Sequence, residues 1–263
     1  MTTATAPHPA VKGGLARGIA ILGLVLGIAA LLLLAAGPLG WRAGWWSFRL
    51  AFSSLMPYAF YGGCAAVAVS VVALAMALGQ TTRRGIVPAV LGLVLGAAAA
   101  YFPWHANSMR GVYPPMHDIT TDAADPPSFQ FAASMRAAEQ GAGPAYPGAE
   151  TMAMQQKSYP GIEPAMLSVP PAQAFDKALA VAKAKGWTIL HADKQAGIIE
   201  GYDKSLWFGF TDDVAIRVTA ADPGDHSRSR VDIRSGSRQG RGDFGVNAAR
   251  VRGFLAALKE GTP

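Results

Sequence analysis

Three uncharged apolar runs occupy most of the first 104 residues: Gly18–Ala36, Leu55–Leu78 and Ile86–Trp104, of 19, 24 and 19 residues. As helices rising about 1.5 Å per residue, runs of this length cross roughly 30 Å of hydrocarbon, where a helix satisfies all its backbone groups internally. The first run lacks a small-residue cleavage site before Pro38 and reads as a retained span rather than a leader. The expected fold is therefore an α-helical transmembrane bundle of three spans, followed by a domain of different composition.

Charge divides the chain in the same way. Residues 1–117 carry Lys12, Arg17, Arg42, Arg49, Arg83, Arg84 and Arg110 and no Asp or Glu, whereas the remainder holds 16 cations against 17 acids. The net charge of +6 belongs to the membrane flanks, and nucleic acid is discarded as a partner. Lys12, Arg17, Arg83 and Arg84 fall on one side of the spans and Arg42, Arg49 and Arg110 on the other. That four-to-three margin, with a short Arg83-Arg84 loop, puts the N-terminus in the cytoplasm and everything after Trp104 outside. Trp41, Trp45, Trp46, Tyr101 and Trp104 supply aromatic residues for the outer interface. The single cysteine, Cys64, lies in an apolar run, so no intrachain disulfide or cysteine-based metal site is available.

Residues 22–30 read LGLVLGIAA and residues 91–99 LGLVLGAAA. Each carries Gly-x-x-x-Gly (Gly23/Gly27 and Gly92/Gly96), and Gly62, Ala66 and Ser70 repeat the spacing in the middle span, which suits close packing of three helices. The runs contain none of the ionisable residues that an ion pathway needs, so they read as an anchor.

Four regions follow from these patterns: a disordered tail at 1–17, the anchor at 18–104, an arm rich in Pro, Ala and Gly at 105–164 and an α+β core at 165–263. In the arm only Ser128–Glu139 suggests a short helix, and much of the rest is expected to wrap the core, with exposed parts near Gly141–Gly148. In the core, Phe175, Ala178, Leu179 and Ala182 mark an amphipathic helix after Pro170-Pro171, with Gly186 as its stop. Strands are expected at Trp187–Ala192, Gly197–Phe210 with a break near Asp203, Val214–Ala220 and Arg228–Arg234. Thr211-Asp212-Asp213 serves as one of the intervening turns. A last helix capped by Asp243 turns Val251, Phe254, Leu255 and Leu258 to one side. This is a two-layer domain, a four-strand antiparallel sheet with two helices and one solvated face; Arg228, Arg230, Asp232 and Arg234 share the parity of that face.

Two clusters carry the chemistry. His117, Asp118, Thr120, Thr121 and Asp122 could bind a metal or place a base beside a hydroxyl, or else form a turn network that fixes the arm. Arg234, Arg238, Arg241 and Arg250, interleaved with Ser and Gly before a helix N-terminus, are candidates for an anion. Asp212 and Asp213 are adjacent acids that a strand-entry turn would also explain, and Asn247 is read as a buried amide holding the preceding loop. Nucleophile-elbow, phosphate-loop, dinucleotide and zinc-protease motifs are absent, and no metal or cofactor is assigned.

Three motifs, Tyr113–Asp122 (YPPMHDITTD), Phe210–Arg217 (FTDDVAIR) and Arg234–Arg250 (RSGSRQGRGDFGVNAAR), resemble the DUF1499 family over residues 113 to about 258. The three spans resemble a membrane-anchored bacterial branch of it. That resemblance implies an inner-membrane location and brings no established activity or catalytic residues. The expected function is a membrane-anchored extracytoplasmic binding or assembly module that meets membrane lipids and recognises an anionic ligand or an envelope protein. The alternative is a metal- or His/Asp-dependent enzyme at the outer face of the inner membrane.

Overall fold

Helix-forming Ala and Leu, with Gly where helices cross, build the first unit of the protein. The computed structural model describes residues 10–79 and 83–260, with side chains from residue 14 onward. The chain divides into two units, up to Met109 and from Arg110. Helix α1 runs Ala10–Arg42. A one-turn helix α2 (Phe48–Leu50), capped by Ser47 Oγ on Leu50 N–H at 3.3 Å, leads through a π-helical turn (Ala51–Leu55) into α3 (Met56–Leu78). Helix α4 spans Ile86–Met109. Among the described residues, three helices are long and apolar enough to cross a membrane: Gly14–Arg42, Phe48–Leu78 and Ile86–Met109. The expected tail is helical from Ala10, because Ala, Leu and Arg continue the helix inward from there; residues 1–9 lie outside the described residues. The Arg83-Arg84 loop likewise runs through 80–82, outside the described residues.

The Gly23/Gly27 and Gly92/Gly96 spacings meet one another, while in the middle helix Gly63 rather than the expected Gly62 makes the close approach. A Cβ on Gly92 would come within 2.7 Å of backbone atoms of Gly23 and Leu24, and one on Gly63 within 2.6 Å of Gly96 O. Ser70 sits where the three helices cross, within 2.5 Å of a Cβ on Gly23 or Gly92. Only glycine permits backbones this close.

The second unit is a six-stranded antiparallel sheet rather than the expected four. Its strands are β1 (Asp118–Thr120), β2 (Ala165–Leu167), β3 (Thr188–Asp193), β4 (Ile198–Lys204), β5 (Thr211–Asp222) and β6 (Asp225–Ser237), in the order β1-β6-β5-β4-β3 with β2 also on β6. Of the two additional strands, β1 comes from the arm and β2 from the start of the core region, and each has three residues, too few to show alternation. The turn before β5 also lies earlier than expected. Ser205–Phe210 makes the connection, and Thr211, Asp212 and Asp213 already pair with Lys204, Asp203 and Tyr202.

Helix α7 (Pro171–Ala184) and helix α8 (Val246–Glu260) pack on one sheet face. Ile119, Ile199, Val214, Ile216, Val218, Val231 and Ile233 meet Phe175, Val181, Val251, Phe254 and Leu258 in one core, with Trp187 stacked on Phe254 at 5.7 Å. At roughly 1.5–3 kcal/mol for each large apolar side chain buried, this core is the main source of stability. Asp243 caps α8, accepting from Gly245 N–H (2.9 Å) and Asn247 N–H (2.7 Å).

The opposite sheet face is solvated only at one end. Residues 122–146 of the arm, including helix α5 (Ala133–Ala138), cover the rest, so Asp232 and Arg234 are buried and Arg230 half-buried, while Arg228 stays exposed as expected. Helix α6 (Ala149–Ser158), not expected in the arm, lies along the β1 edge. Its Gln155 receives Thr120 N–H at 3.0 Å and donates to Thr120 O at 2.7 Å, standing in for a neighbouring strand.

Candidate functional site

The covered sheet face is a lattice of guanidinium and carboxylate groups. Strand parity turns Asp213 on β5, Asp118 on β1 and Arg234 on β6 toward the arm, with Arg238 just beyond β6. Asp118 takes both Arg234 Nε and Nη2, at 2.9 and 2.7 Å. Asp213 receives Arg238 at 2.7–3.2 Å and Arg136 at 2.7 Å, and Arg238 reaches Glu139 at 2.6 Å. The guanidinium groups of Arg234 and Arg136 both lie over the Phe129 ring, 4.2 and 4.8 Å from its centre. Burial works against the charge of Arg238, but the bonds to Asp213 and the charge of Glu139 outweigh it and leave its pKa raised. Burial, then the charge of Asp118, pushes the Tyr146 hydroxyl up to about 12, while Arg234 opposes this. Glu200, fully buried, accepts from Gln130, Phe131 and Ala132 N–H at 2.9, 2.9 and 2.6 Å and thereby fixes the start of α5. A charge-assisted cap of this kind replaces solvation with fixed dipoles.

A second polar cluster faces the helices. Arg250 on α8 bridges Asp203 (3.0 Å) and Asp212 (2.8 Å) and touches Ser235 and Asn247. Burial raises the Asp212 pKa above its ordinary value, although Arg250 and Ser237 pull it down. Asn247 donates to His117 O at 3.0 Å and to Ser237 Oγ at 2.8 Å, holding the loop before α8 to β1.

The structure distributes the sequence candidates accordingly. Arg234 and Arg238 lie in the buried lattice and Arg250 in the cluster against α8; Arg241 is exposed in the loop between them. His117 Nδ1 lies 3.1 Å from Ser237 O. Thr121 Oγ1 meets Asp232 at 3.2 Å, and Thr120 Oγ1 donates to Asp122 O at 3.1 Å. Asp122 accepts from Ala124 and Asp125 N–H with one oxygen and from Arg217 and Arg230 with the other, a turn that ties the arm to the sheet. Asp212 and Asp213 point to opposite faces and do not act as a pair. Among the described residues, no group of three or more His, Cys, Asp or Glu is placed to hold a metal.

Sequence reasoning missed Arg136, Glu139, Glu200 and Phe129. Glu200 reaches Ala132, Arg136 reaches Asp213 and Glu139 reaches Arg238 across 68 to 99 residues of chain, and nothing local signals these contacts. It also missed a cleft of about 430 Å³ at the sheet edge, lined among others by Thr120, Asp122, Gln155, Tyr159 and Glu163. Its volume lies in the range of small-molecule pockets.

The family profile described as protein of unknown function, DUF1499, matches residues 118–258. The chain belongs to the DUF1499 family. The DUF1499 match begins at β1 and ends in α8, so it takes in the arm as well as the later strands and helices. A comparison with curated proteins gave no match.

Proposed function

We propose that this DUF1499 protein is a bacterial inner-membrane protein that crosses the membrane three times, with its N-terminus cytoplasmic and its sheet domain outside. There it works as a binding or assembly module. The cation asymmetry of the flanks supports this orientation, and the aromatic residues support the positions of the span ends. One observation carries the functional reading: Arg136, Arg217, Arg230, Arg234, Arg238 and Arg250 are each held by at least one carboxylate. The polar interior is thus spent on fixing the arm, and recognition falls to the outer surface, including the edge cleft and the loop that presents Arg241. The enzymatic alternative would need His117 and Asp118 free to act. Asp118 instead carries Arg234 on both oxygens, and His117 rests against Ser237.

Crosslinking in intact membranes followed by capture of the full chain tests this reading, together with a reporter fused after Pro263 that is active only outside the cytoplasm. The expected results are reporter activity and a reproducible envelope-protein partner whose capture weakens in Arg241→Ala. A reporter active only in the cytoplasm would reverse the orientation. Crosslinks confined to substrate-like small molecules turned over in a His117-dependent way would replace binding by catalysis.

A further inference from the structure

The tip between β4 and β5 holds two apolar side chains out in solvent. Ser205 ties this loop three times: its N–H donates to Phe210 O, its carbonyl accepts from Gly209 N–H and its Oγ accepts from Phe210 N–H, each at 2.9 Å. Gly209 supplies the left-handed turn at φ +68°. Phe208 turns inward and stacks on Phe210 at 4.9 Å, while Leu206 and Trp207 remain 94% and 58% exposed. A loop fixed in this way does not collapse over its own apolar residues.

The tip stands at a particular end of the sheet. Lys204 pairs with Thr211, Asp212 with Ser237 and Asp118 with Gly236, and Ser237 N–H donates to His117 O, so the chain comes into the domain at this same end. The loop before α8 lies there too, with Tyr113 against Phe244 at 6.4 Å. Among the described residues, seven large apolar side chains of this unit are exposed, and five of them (Val112, Leu206, Trp207, Phe244 and Val246) belong to this end. The turn at the other end exposes Asp222, Pro223 and His226 instead. Helix α4 stops at Met109, so eight residues separate it from Asp118, and a chain of that length spans at most about 30 Å. On the reading of α4 as a membrane span, this short connection limits how far this end of the sheet can lie from the bilayer.

We propose that the tip is a membrane-docking element: Leu206 and Trp207 enter the interfacial layer of that bilayer, with Lys204 and Arg241 at the headgroups. Tryptophan favours this layer, exposed apolar side chains gain by leaving water there, and Lys and Arg meet anionic lipid. The proposal rests on the reading of the chain as a membrane-tethered module and names the lipid surface as one of its partners.

The test uses the full-length chain with Cys64→Ala in vesicles of phosphatidylcholine and phosphatidylglycerol that contain lipids spin-labelled near the headgroup. A bimane on Leu206→Cys should be strongly quenched, and one on His226→Cys at the opposite turn should not. A bimane on Arg241→Cys should be quenched as well, and Leu206→Asp with Trp207→Asp should abolish that quenching while the domain keeps its protease resistance. Absence of quenching at 206, or equal quenching at 206 and 226, overturns lipid docking. If a protein partner is still captured from intact membranes, the tip is a protein contact and the module reading survives; if none is captured, both fall.

Discussion

Replacing Arg238 by alanine removes the guanidinium that makes three hydrogen bonds to Asp213 and one to Glu139. Asp213 has no solvent exposure and keeps only Arg136, on one of its two oxygens. Removing one partner of a buried ion pair costs about 3–5 kcal/mol, because the remaining charge loses its compensation without regaining water. Arg136 still screens Asp213, so the lower part of that range applies, about 3 kcal/mol, which for a domain of this size lowers the melting temperature by about 6–12 °C. Arg241, three residues on and exposed, provides the contrast: Arg241→Ala should stay within about 0.5 kcal/mol of wild type. The assay is pulse proteolysis of the full-length chain in detergent along a temperature series, following cleavage after Arg110. It reports the sheet domain without the helical anchor that dominates circular dichroism. Equal stability of Arg238→Ala and wild type, or equal losses in the two variants, would refute the assignment of Arg238 to a buried lattice.

Two further outcomes follow from the same geometry. Gln155→Ala leaves Thr120 N–H and C=O unpaired at the sheet edge, at a cost of about 1–3 kcal/mol, and hydrogen exchange at the Thr120 amide should accelerate, whereas exposed Gln156→Ala should change neither. Asp212 binds its proton more tightly folded than unfolded, so its ionisation opposes folding above its folded pKa, and the penalty fades as pH falls through that value toward 3.8. Wild type should therefore gain stability relative to Asp212→Asn between pH 7 and pH 4; a constant difference between the two proteins would count against the raised pKa.

The elements legible in the sequence are those whose signal is local. The periodicity of Phe175, Ala178 and Ala182 gives α7, the alternation of Val214, Ile216 and Val218 gives β5, and the oxygens of Asp243 satisfy the first N–H groups of α8 as its position suggests. Parity along Arg228–Arg234 was equally correct as geometry, since Val231 and Ile233 do face the helices and Arg230, Asp232 and Arg234 the other side. Alternation reports only that a face is polar. It cannot separate water from a polar arm, and Asp118, the acid that neutralises Arg234, lies 116 residues earlier. Strands of three residues, such as β1 and β2, show no period at all, and α6 is masked by its polar run Gln155-Gln156-Lys157-Ser158 between Pro/Gly-rich flanks.

Buried charges are a costly way to gain stability, since apolar residues of similar volume often do as well or better. The lattice is better understood as setting register. Strand β1 has three residues, and Ile119 is its only contribution to the core. A slip of one residue would turn Ile119 toward Arg234 and put Asp118 in the place of Ile119, opposite Ser235 on the core side. The loss of one buried isoleucine alone discriminates weakly between the two alignments. The two-toothed Asp118–Arg234 contact adds a large penalty to the wrong one, because the slip leaves a carboxylate in an apolar core and a guanidinium without its partner. Glu200 and Arg136 repeat the device farther along: Glu200 reads the N–H groups of residues 130–132 of the arm, and Arg136, itself on the arm, reads the carbonyls of Gly236 and Ser237 on β6 and of Ala142. An arm rich in Pro, Ala and Gly has little side-chain shape with which to define its own path. The charged contacts supply that definition, and they determine where the arm meets the sheet.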